Sequence, residues 1–499
     1  MKNVVSARLS ERTAPEVAAT IYSPFLQSFA APALERMCAL NEAHLVMLAA
    51  QGLVSPEIAR VLLTGIEQIR AEGPEAIDLD PQFEDSYFAF ENRLATIVGK
   101  GAAGWLHIGR SRNDIGSTLD RMQLRETCLS LLAGMNQALD AALDAALRHA
   151  DVIMPGYTHL QPAQPITLGY YFLNVASALE RDYARMAAVY DRADHCALGS
   201  AAFAGTSFPI DRVETAALLG FQAVAVPGLD AVASRDFVTE LLWTVTSAQT
   251  LLSRVAQDFY AFTTYEFGAI SFPDRVAGTS SIMPQKKNML PLEYFRAEAG
   301  RSIGALAGAL SAVKGSNFSI GLDSVREGIA DAWPVLARFQ TALPLLRLLI
   351  ETATPAVERL EQRCIANFST ATDLADALVR HHGLSFREAH HVVGHAVQSV
   401  LSAGGDATGL TAQVVNDAAE AEIGRRFALE DETISRWMDP RSAVDARRTL
   451  GGPAPDEVRT MTAAMRARLA GVTETRLARA AHLQRATEDL RRRVTELLA

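Results

Sequence analysis

The sequence predicts an all-α fold built on long helices. Apolar residues recur at alternating spacings of four and three along residues 172–190 and again along residues 241–259, which is the spacing of one helix face. Residues 121–150 are rich in leucine and alanine, and no strand alternation of convincing length is present. Such helices exceed the usual mean of about 12 residues, so we expect a helical bundle. Their apolar stripes could pack within one chain or partly against sister subunits.

Three domains are predicted along the 499 residues. Residues 1–113 form a helical N-terminal domain, which ends where the first long helix begins. Residues 114–364 form the central domain of long helices, and Pro344 is expected to kink or break the helix over residues 336–364. Residues 365–499 form a C-terminal domain of shorter helices, marked by Gly404, Gly405 and a Gly-Gly-Pro sequence at 451–453.

Charge and cysteine content argue against several functional classes. The 47 basic residues are outnumbered by 57 acidic residues, and the net charge of −10 argues against nucleic-acid binding. The arginine-rich stretch 485–493 also contains acidic residues, which is typical of a solvated helix face. The four cysteines lie far apart, so we expect neither a disulfide framework nor a zinc site. Without an apolar leader or a run of about 18 apolar residues, the sequence predicts no membrane partner and a cytoplasmic location.

Three polar segments between the helices could carry chemistry. The first, His-Ile-Gly-Arg-Ser-Arg-Asn-Asp at 107–114, combines a glycine with arginine, serine and asparagine donors, which suits a carboxylate ligand. The alternative is a capped helix start, with Ser111, Asn113 or Asp114 as the cap. The second, Pro-Gly-Tyr-Thr-His-Leu-Gln-Pro-Ala-Gln-Pro at 155–165, predicts a rigid polar loop before a long helix. Its histidine, His159, is either a proton carrier or an ordinary surface histidine.

The third segment, Gly-Thr-Ser-Ser-Ile-Met-Pro-Gln-Lys-Lys-Asn at 278–288, places two serines after a glycine, with two lysines and an asparagine nearby. A flexible Gly-Thr-Ser-Ser entry could close over a ligand. The alternative is a plain linker, but a linker would be rich in glycine and serine throughout. This segment is therefore the most specific of the three.

Together the three segments resemble the aspartase/fumarase superfamily, and within it the argininosuccinate lyase branch. The third matches the superfamily loop SSxMPxKxN at every fixed position, the first resembles the branch's HTGRSRND with Ile108 in place of threonine, and the second resembles GYTHLQxAQP. The resemblance runs with few breaks from about residue 84 to residue 301. It implies a three-domain fold in which long helices of four chains form a homotetrameric twenty-helix core. It also implies that each active site is built from three subunits.

The resemblance implies a carbon–nitrogen lyase that eliminates an amine from a succinyl group and releases fumarate, without a metal or organic cofactor. Its base is the first serine of the loop pair, here Ser280, and charge develops on the adjacent carboxylate as an aci-carboxylate. His159, paired with Glu293, is a candidate proton donor to the leaving amine. Lys286 joins them as a catalytic residue that binds the carboxylate. The positions that match substrate-binding residues are Ser111, Arg112, Asn113, Thr158, Ser281, Met283 and Asn288.

The amine end of the site departs from the branch. Met289-Leu290 replace the usual Pro-Asp, Ile320 begins a stretch where the branch has Tyr-Asn-x-Asp-x-Gln, and residues 38–44 replace Asp-Ile-x-Gly-Ser. Burying a guanidinium among apolar groups is costly, so we do not expect argininosuccinate as substrate. We expect Met289, Leu290 and Ile320 to line the pocket for the amine of another N-substituted aspartate.

The nearest type implied by the resemblance is ethylenediamine-N,N'-disuccinate (EDDS) lyase, with an altered amine pocket. Argininosuccinate cleavage and a non-enzymatic role like that of lens crystallins are the alternatives. Drift of packing residues is the alternative explanation of the apolar changes.

Overall fold

The computed structural model describes residues 8–27 and 29–499, and over these residues the all-α class is confirmed. Most of the chain lies in helices joined by short connections. The longer helices, numbered in chain order, are α1 (Ala31–Ala50), α2 (Pro56–Glu72), α3 (Ser86–Val98), α4 (Arg112–Arg148), α5 (Leu168–Ala193), α6 (Arg212–Leu218), α7 (Gly228–Ala233), α8 (Asp236–Phe262), α9 (Leu290–Val313), α10 (Ala332–Thr352), α11 (Val357–Ala366), α12 (Ala371–His382), α13 (Phe386–Ser402), α14 (Ala412–Ile423), α15 (Asp431–Trp437), α16 (Pro440–Ala446) and α17 (Pro455–Leu498).

The strands of the described residues are short and pair two by two. The antiparallel pairs are β1 (Ile153–Thr158) with β2 (Gln161–Thr167), β5 (Ile270–Ser271) with β8 (Thr354–Pro355), and β6 (Gly278–Thr279) with β7 (Lys287–Asn288). The parallel pair is β3 (His195–Cys196) with β4 (Ala223–Val224).

The prediction of a rigid polar loop at 155–165 is wrong, because this segment forms the β1–β2 hairpin. Pro155 lies opposite Pro165, and the register shifts between Pro155 and Tyr157. Proline is tolerated here because each strand of a two-stranded ribbon is an edge strand, so a missing N–H can face away from the partner. The dense prolines and the glycine hid the alternation that marks most strands.

The central bundle consists of α4, α5, α8, α9 and α10 around one large apolar core. Helix α5 runs antiparallel to α4, while α8 runs in the same direction as α4. At one end Arg235 Nε lies 2.7 Å from Asp120 Oδ2, and toward the other end the Tyr171 hydroxyl donates to Asp258 Oδ2 at 2.7 Å. Helix α9 then returns antiparallel along α8.

Outside the bundle, the two largest of the remaining apolar cores of the described residues lie toward the two ends of the sequence. One gathers residues from 34 to 122 with part of 196–221, and the other lies within residues 374–434. The last helix, α17, does not stay with the C-terminal core: Val458 is buried in the bundle core, and Leu490 is buried in the N-terminal core. The three-domain division stays a prediction. Helix α17 packs against both the central bundle and the N-terminal core.

The helix predicted over 336–364 is divided, although not at Pro344. That residue lies inside α10, which continues to Thr352. The break comes at residues 353–356, where β8 contains Pro355 and the residue before a proline favours an extended conformation. In residues 8–27 and 29–499, no helix is long and apolar enough to cross a membrane.

A buried arginine of α4, Arg125, joins the end of α5 to the N-terminal core. Arg125 Nη1 lies 2.7 Å from Asp194 Oδ1, and both side chains are less than 5% exposed. The same guanidinium donates to the carbonyls of Gly220 and Leu219, and it lies 3.6 Å from the centroid of the Phe221 ring. One side chain thus satisfies a carboxylate and two carbonyls that have no access to water.

We predict that Arg125→Met destabilises the protein by about 3–5 kcal/mol, because it leaves the buried Asp194 carboxylate uncompensated. The control is Arg347→Met, which breaks an exposed i,i+4 pair with Glu351 and costs at most about 0.5 kcal/mol. Urea unfolding followed by circular dichroism, at one protein concentration, measures both. Equal midpoints for the two variants would contradict the role given to Arg125.

Candidate active site

The first polar segment forms the turn at the start of α4. Ser111 is the N-cap residue: its hydroxyl accepts the main-chain N–H of Asn113 at 3.4 Å, and the Asp114 carboxylate accepts the N–H of Ser111 at 2.8 Å. This reciprocal arrangement is a capping box. The helix-cap alternative is therefore confirmed, and Ser111 has this structural role whatever it binds.

Asp114 also fixes the loop beside this turn. Its Oδ2 accepts the N–H groups of Gly199 at 2.8 Å and Ala201 at 2.9 Å, and Asn113 Nδ2 donates to the carbonyl of Ala202 at 3.0 Å. Burial raises the pKa of Asp114 to about 6, against the lowering effect of its hydrogen bonds. The sequence identified Asp114 only as a possible cap, because its contacts with residue 199 onward depend on the fold.

Arg112 is paired with acidic groups of its own chain. Its Nη1 lies 2.9 Å from Glu84 Oε2 and 3.0 Å from Asp85 Oδ2, and its guanidinium carbon lies 4.3 Å from the centroid of the Phe88 ring. The side chain is 39% exposed. Within the described part of the chain, the other guanidinium nitrogens make no hydrogen bond, so Nε and Nη2 can still bind a carboxylate.

A buried polar network lies beneath the same turn. Arg110 Nη2 donates to Asn41 Oδ1 at 2.7 Å and lies 3.4 Å from Tyr87 Oη, which is 2.8 Å from His107 Nδ1. Burial raises the pKa of Tyr87 to about 12 and lowers that of His107 to about 4. Sequence reasoning missed Asn41 and Tyr87 as supports of this turn, since they are distant from it along the chain.

The second segment presents His159 at the tip of the β1–β2 hairpin. Thr158 ends β1 opposite Gln161, and the two residues between them, His159 and Leu160, have φ values of 55° and 58°. Both central residues have positive φ, as in a type I′ turn, which costs side-chain-bearing residues about 1 kcal/mol or more each. Thr158 and His159 are exposed, and Leu160 is 66% exposed. A strained turn therefore holds an accessible imidazole.

The third segment is a loop closed at its base by the β6–β7 pair. The Ser280 hydroxyl oxygen accepts the main-chain N–H of Met283 at 3.1 Å and lies 3.4 Å from that of Ile282. Two N–H groups directed at one hydroxyl oxygen stabilise negative charge on it. The geometry therefore favours a serine that can lose its proton.

The remaining residues of this loop divide into anchors and exposed groups. Lys287 Nζ lies 2.8 Å from Asp274 Oδ1 and also donates to the carbonyl of Phe272, while Asn288 Nδ2 donates to the carbonyl of Thr279 at 3.3 Å. These contacts hold the base of the loop. The predicted site residues Ser281, Met283 and Lys286 are exposed around its tip.

The two apolar replacements after the loop have different surroundings. Met289 is 7% exposed and belongs to the bundle core, so it does not line an accessible pocket of the protomer. Leu290 is 51% exposed and lies against Gly278, where an added Cβ would be 2.5 Å from Leu290 Cδ1. Leu290 therefore contacts the first residue of the loop.

Glu293 is exposed in the first turn of α9. Its Oε1 accepts the hydroxyl of Tyr260, on the last turn of α8, at 3.2 Å. No hydrogen bond or ion pair joins Glu293 to His159 within the described residues of one protomer, so their pairing stays a prediction.

The structure does not bring the three segments together within one protomer. The first segment starts α4 and the second follows its end, and 37 residues of helix span about 55 Å. The third segment lies at the same end as the second: Phe262 of α8 contacts Tyr157, and Phe259 contacts Phe272. One protomer thus holds the predicted site residues at two opposite ends.

Ile320 lies with the first segment. It follows α9, whose 24 residues span about 36 Å away from Leu290, and nearby Arg326 Nη2 lies 3.5 Å from the carbonyl of Glu84. Leu290 and Ile320 therefore cannot line one pocket within a protomer. The described residues also contain no group of three or more His, Cys, Asp or Glu side chains placed to hold a metal ion.

Comparison with known proteins extends these observations. Residues 30–304 match the model of a family described as lyase, and residues 368–445 match the argininosuccinate lyase C-terminal model. The chain is 35% identical over 451 residues to argininosuccinate lyase 1 of Shouchella clausii, covering 90% of this chain and 91% of the relative. It is 38% identical over 427 residues to argininosuccinate lyase of Methanothermobacter thermautotrophicus, covering 85% and 91%.

Among solved structures, the chain is similar to a variant of EDDS lyase with bound fumarate, in which one aspartate and one tyrosine are replaced by methionine. The TM-score is 0.87 at 31% identity, with 98% of this chain and 97% of that chain covered.

Proposed function

The chain belongs to the argininosuccinate lyase branch of the aspartase/fumarase superfamily, and from this premise we propose that it eliminates an amine from an N-substituted aspartate to release fumarate. The observation that carries the proposal is the pair of main-chain N–H groups directed at the Ser280 hydroxyl. They give a serine in the family loop the surroundings that a base needs.

In the proposed reaction, the Ser280 alkoxide takes a proton from the carbon beside a substrate carboxylate. The electron pair of that C–H bond is held as an aci-carboxylate, stabilised by Lys286 and Asn288. The C–N bond then breaks, the electron pair forms the double bond of fumarate, and His159 gives a proton to the leaving amine. Glu293 orients His159. The same steps in reverse add an amine to fumarate.

The remaining predicted residues bind the succinyl carboxylates. Ser111, Arg112, Asn113 and Thr158 supply donors, and Nε and Nη2 of Arg112 are available for two parallel hydrogen bonds. The Glu84 and Asp85 carboxylates that contact Nη1 keep the guanidinium in one orientation. Ser281 and Met283 act as parts of the loop that covers the substrate.

The proposed site requires several copies of the chain, because about 55 Å of helix separates its parts. We therefore propose a homotetramer with shared sites, in line with the family. A face of α9 supports close packing of helices between copies, since small residues are exposed along it and no atom lies within 4 Å of a Cβ added to its glycines. The residues of this face are Ala297, Gly300, Gly304, Ala307, Gly308 and Ser311.

The proposed amine is apolar. Leu290 and Ile320, supplied by different copies, would form the amine pocket where the branch has polar residues. The similar EDDS lyase variant, with two polar residues replaced by methionine, shows that the fold accepts apolar substitutions. Argininosuccinate lyase is the second candidate, favoured by the names of the relatives that are 35–38% identical. The two main-chain N–H groups directed at Ser280 argue against a purely structural, crystallin-like role.

We predict that Ser280→Ala lowers kcat about 10²–10⁴-fold while leaving the fold and assembly intact, because it removes the base. The control is Ser281→Ala, which keeps the base and loses less activity. Release of fumarate from an N-substituted aspartate, followed by ultraviolet absorbance, measures both. Turnover of Ser280→Ala close to that of the parent would remove Ser280 from this role.

Mixing two inactive variants tests the shared site. Arg112→Met and Ser280→Ala lie at opposite ends of the protomer, so a shared site takes these two residues from different chains. After random mixing, about one site in four contains both parent residues, and mixed assemblies should recover up to about one quarter of parent activity. The matched control mixes Ser280→Ala with Lys286→Met. Both change the same loop of one chain, so no site is restored. Full activity in a species that light scattering identifies as a monomer would contradict the tetramer.

The amine pocket is tested with fumarate as acceptor. The parent should prefer butylamine and cyclohexylamine over ethylenediamine and arginine in kcat/KM, because each buried methylene contributes about 0.8 kcal/mol while an unpaired guanidinium loses its hydration. Leu290→Asp with Ile320→Tyr should move the preference toward the polar amines. If the parent protein instead prefers arginine, the result would support argininosuccinate cleavage, and Leu290 and Ile320 would be packing residues rather than specificity residues.

A further inference from the structure

The contact between Tyr260 and Glu293 joins two helices beside the third segment. The Tyr260 hydroxyl donates to Glu293 Oε1 at 3.2 Å, and the guanidinium carbon of Arg296 lies 5.4 Å from the centroid of the tyrosine ring. The ring itself packs against the bundle core. The two parts of Tyr260 therefore have separate roles: the ring packs in the core, and the hydroxyl fixes the Glu293 carboxylate.

Stability does not require this hydrogen bond. Glu293 is exposed, so water can solvate its carboxylate, and its place in the first turn of α9 already suits the helix dipole. A phenylalanine at 260 would fill the same part of the core. What the hydroxyl adds is a fixed orientation, because one carboxylate oxygen is bound and the other stays available.

We propose that Tyr260 is a positioning residue for catalysis: it holds the Glu293 carboxylate so that Oε2 can accept a hydrogen bond from His159 of a neighbouring copy. The proposal rests on the proposed function, in which His159 gives a proton to the leaving amine. A fixed carboxylate stabilises the imidazolium more than one that rotates freely, because the ion pair keeps a single geometry. Tyr260 thereby acts on the reaction through two other side chains.

Several other charged groups lie near the Tyr260–Glu293 pair. Arg254, Asp258 and Arg296 line one recess with Ser253 and Gln257, and Arg338 lies 6.0 Å from the ring of the neighbouring Tyr294. Of these groups, Arg296 contacts the pair directly, through the ring of Tyr260. Asp258 already receives the hydroxyl of Tyr171. This second tyrosine–carboxylate contact joins α5 to α8 and provides a control.

The test compares Tyr260→Phe, Tyr171→Phe and Glu293→Gln, with elimination from N-butylaspartate as the assay. Glu293→Gln should move the alkaline limb of kcat to lower pH by about one unit, because the imidazolium loses a negative partner. Tyr260→Phe should move it in the same direction by about half a unit and lower kcat about threefold, with KM changed less than twofold. Tyr171→Phe removes the hydroxyl that binds Asp258 instead of Glu293, and it should leave the limb in place.

The double variant Tyr260→Phe with Glu293→Gln separates this proposal from the function on which it rests. If Tyr260 acts through Glu293, the alkaline limb of kcat lies at the same pH in the double variant as in the single variant Glu293→Gln. A parent-like profile for Glu293→Gln overturns the role of Glu293 in the proposed function. The positioning role is overturned, and the proposed function stands, if the alkaline limb of kcat shifts for Glu293→Gln but not for Tyr260→Phe. The same conclusion follows if Tyr171→Phe shifts the limb as much as Tyr260→Phe does.

Discussion

The length of α4 is the constraint on which the rest of the structure depends. Its 37 residues place the arginine-bearing turn about 55 Å from the hairpin that carries His159. Neither a loop motion nor a hinge of ordinary size closes that distance, since both segments are fixed to the ends of the same rod. The long buried stripe that makes α4 rigid is also what prevents one protomer from completing the proposed site alone.

Each part of the proposed site is pre-organised on its own element. The turn at Ser111 is closed by a capping box, the His159 tip is held by a strained hairpin, and Ser280 is held by main-chain N–H groups. In the proposed tetramer, assembly would therefore bring preformed parts together rather than fold them, which keeps the entropic cost of forming the site low.

The sequence was sufficient to predict the helices, because apolar stripes at helical spacing have few other solutions. It also predicted a helix cap as one alternative for the first segment, but it left Ser111, Asn113 and Asp114 open as the cap. It failed at the β1–β2 hairpin, where prolines replace the usual alternation. Of the kink or break expected at Pro344, the break is absent, because the helix continues through this residue within the core. The acidic partners of Arg112 and the support from Asn41 could not be predicted, since both depend on which distant residues the fold brings together.

The neighbouring residues Met289 and Leu290 show why an apolar replacement has no single meaning. Met289 caps α9 from inside the bundle core, so its change from the family pattern is explained by packing. Leu290 is half exposed and touches Gly278 at the entry of the serine loop. A change at 290 therefore acts on the loop that carries Ser280 as well as on the proposed amine pocket. Ile320 lies about 36 Å away along α9, so a change at 320 leaves the serine loop of its own protomer in place, and the two residues separate pocket polarity from loop geometry.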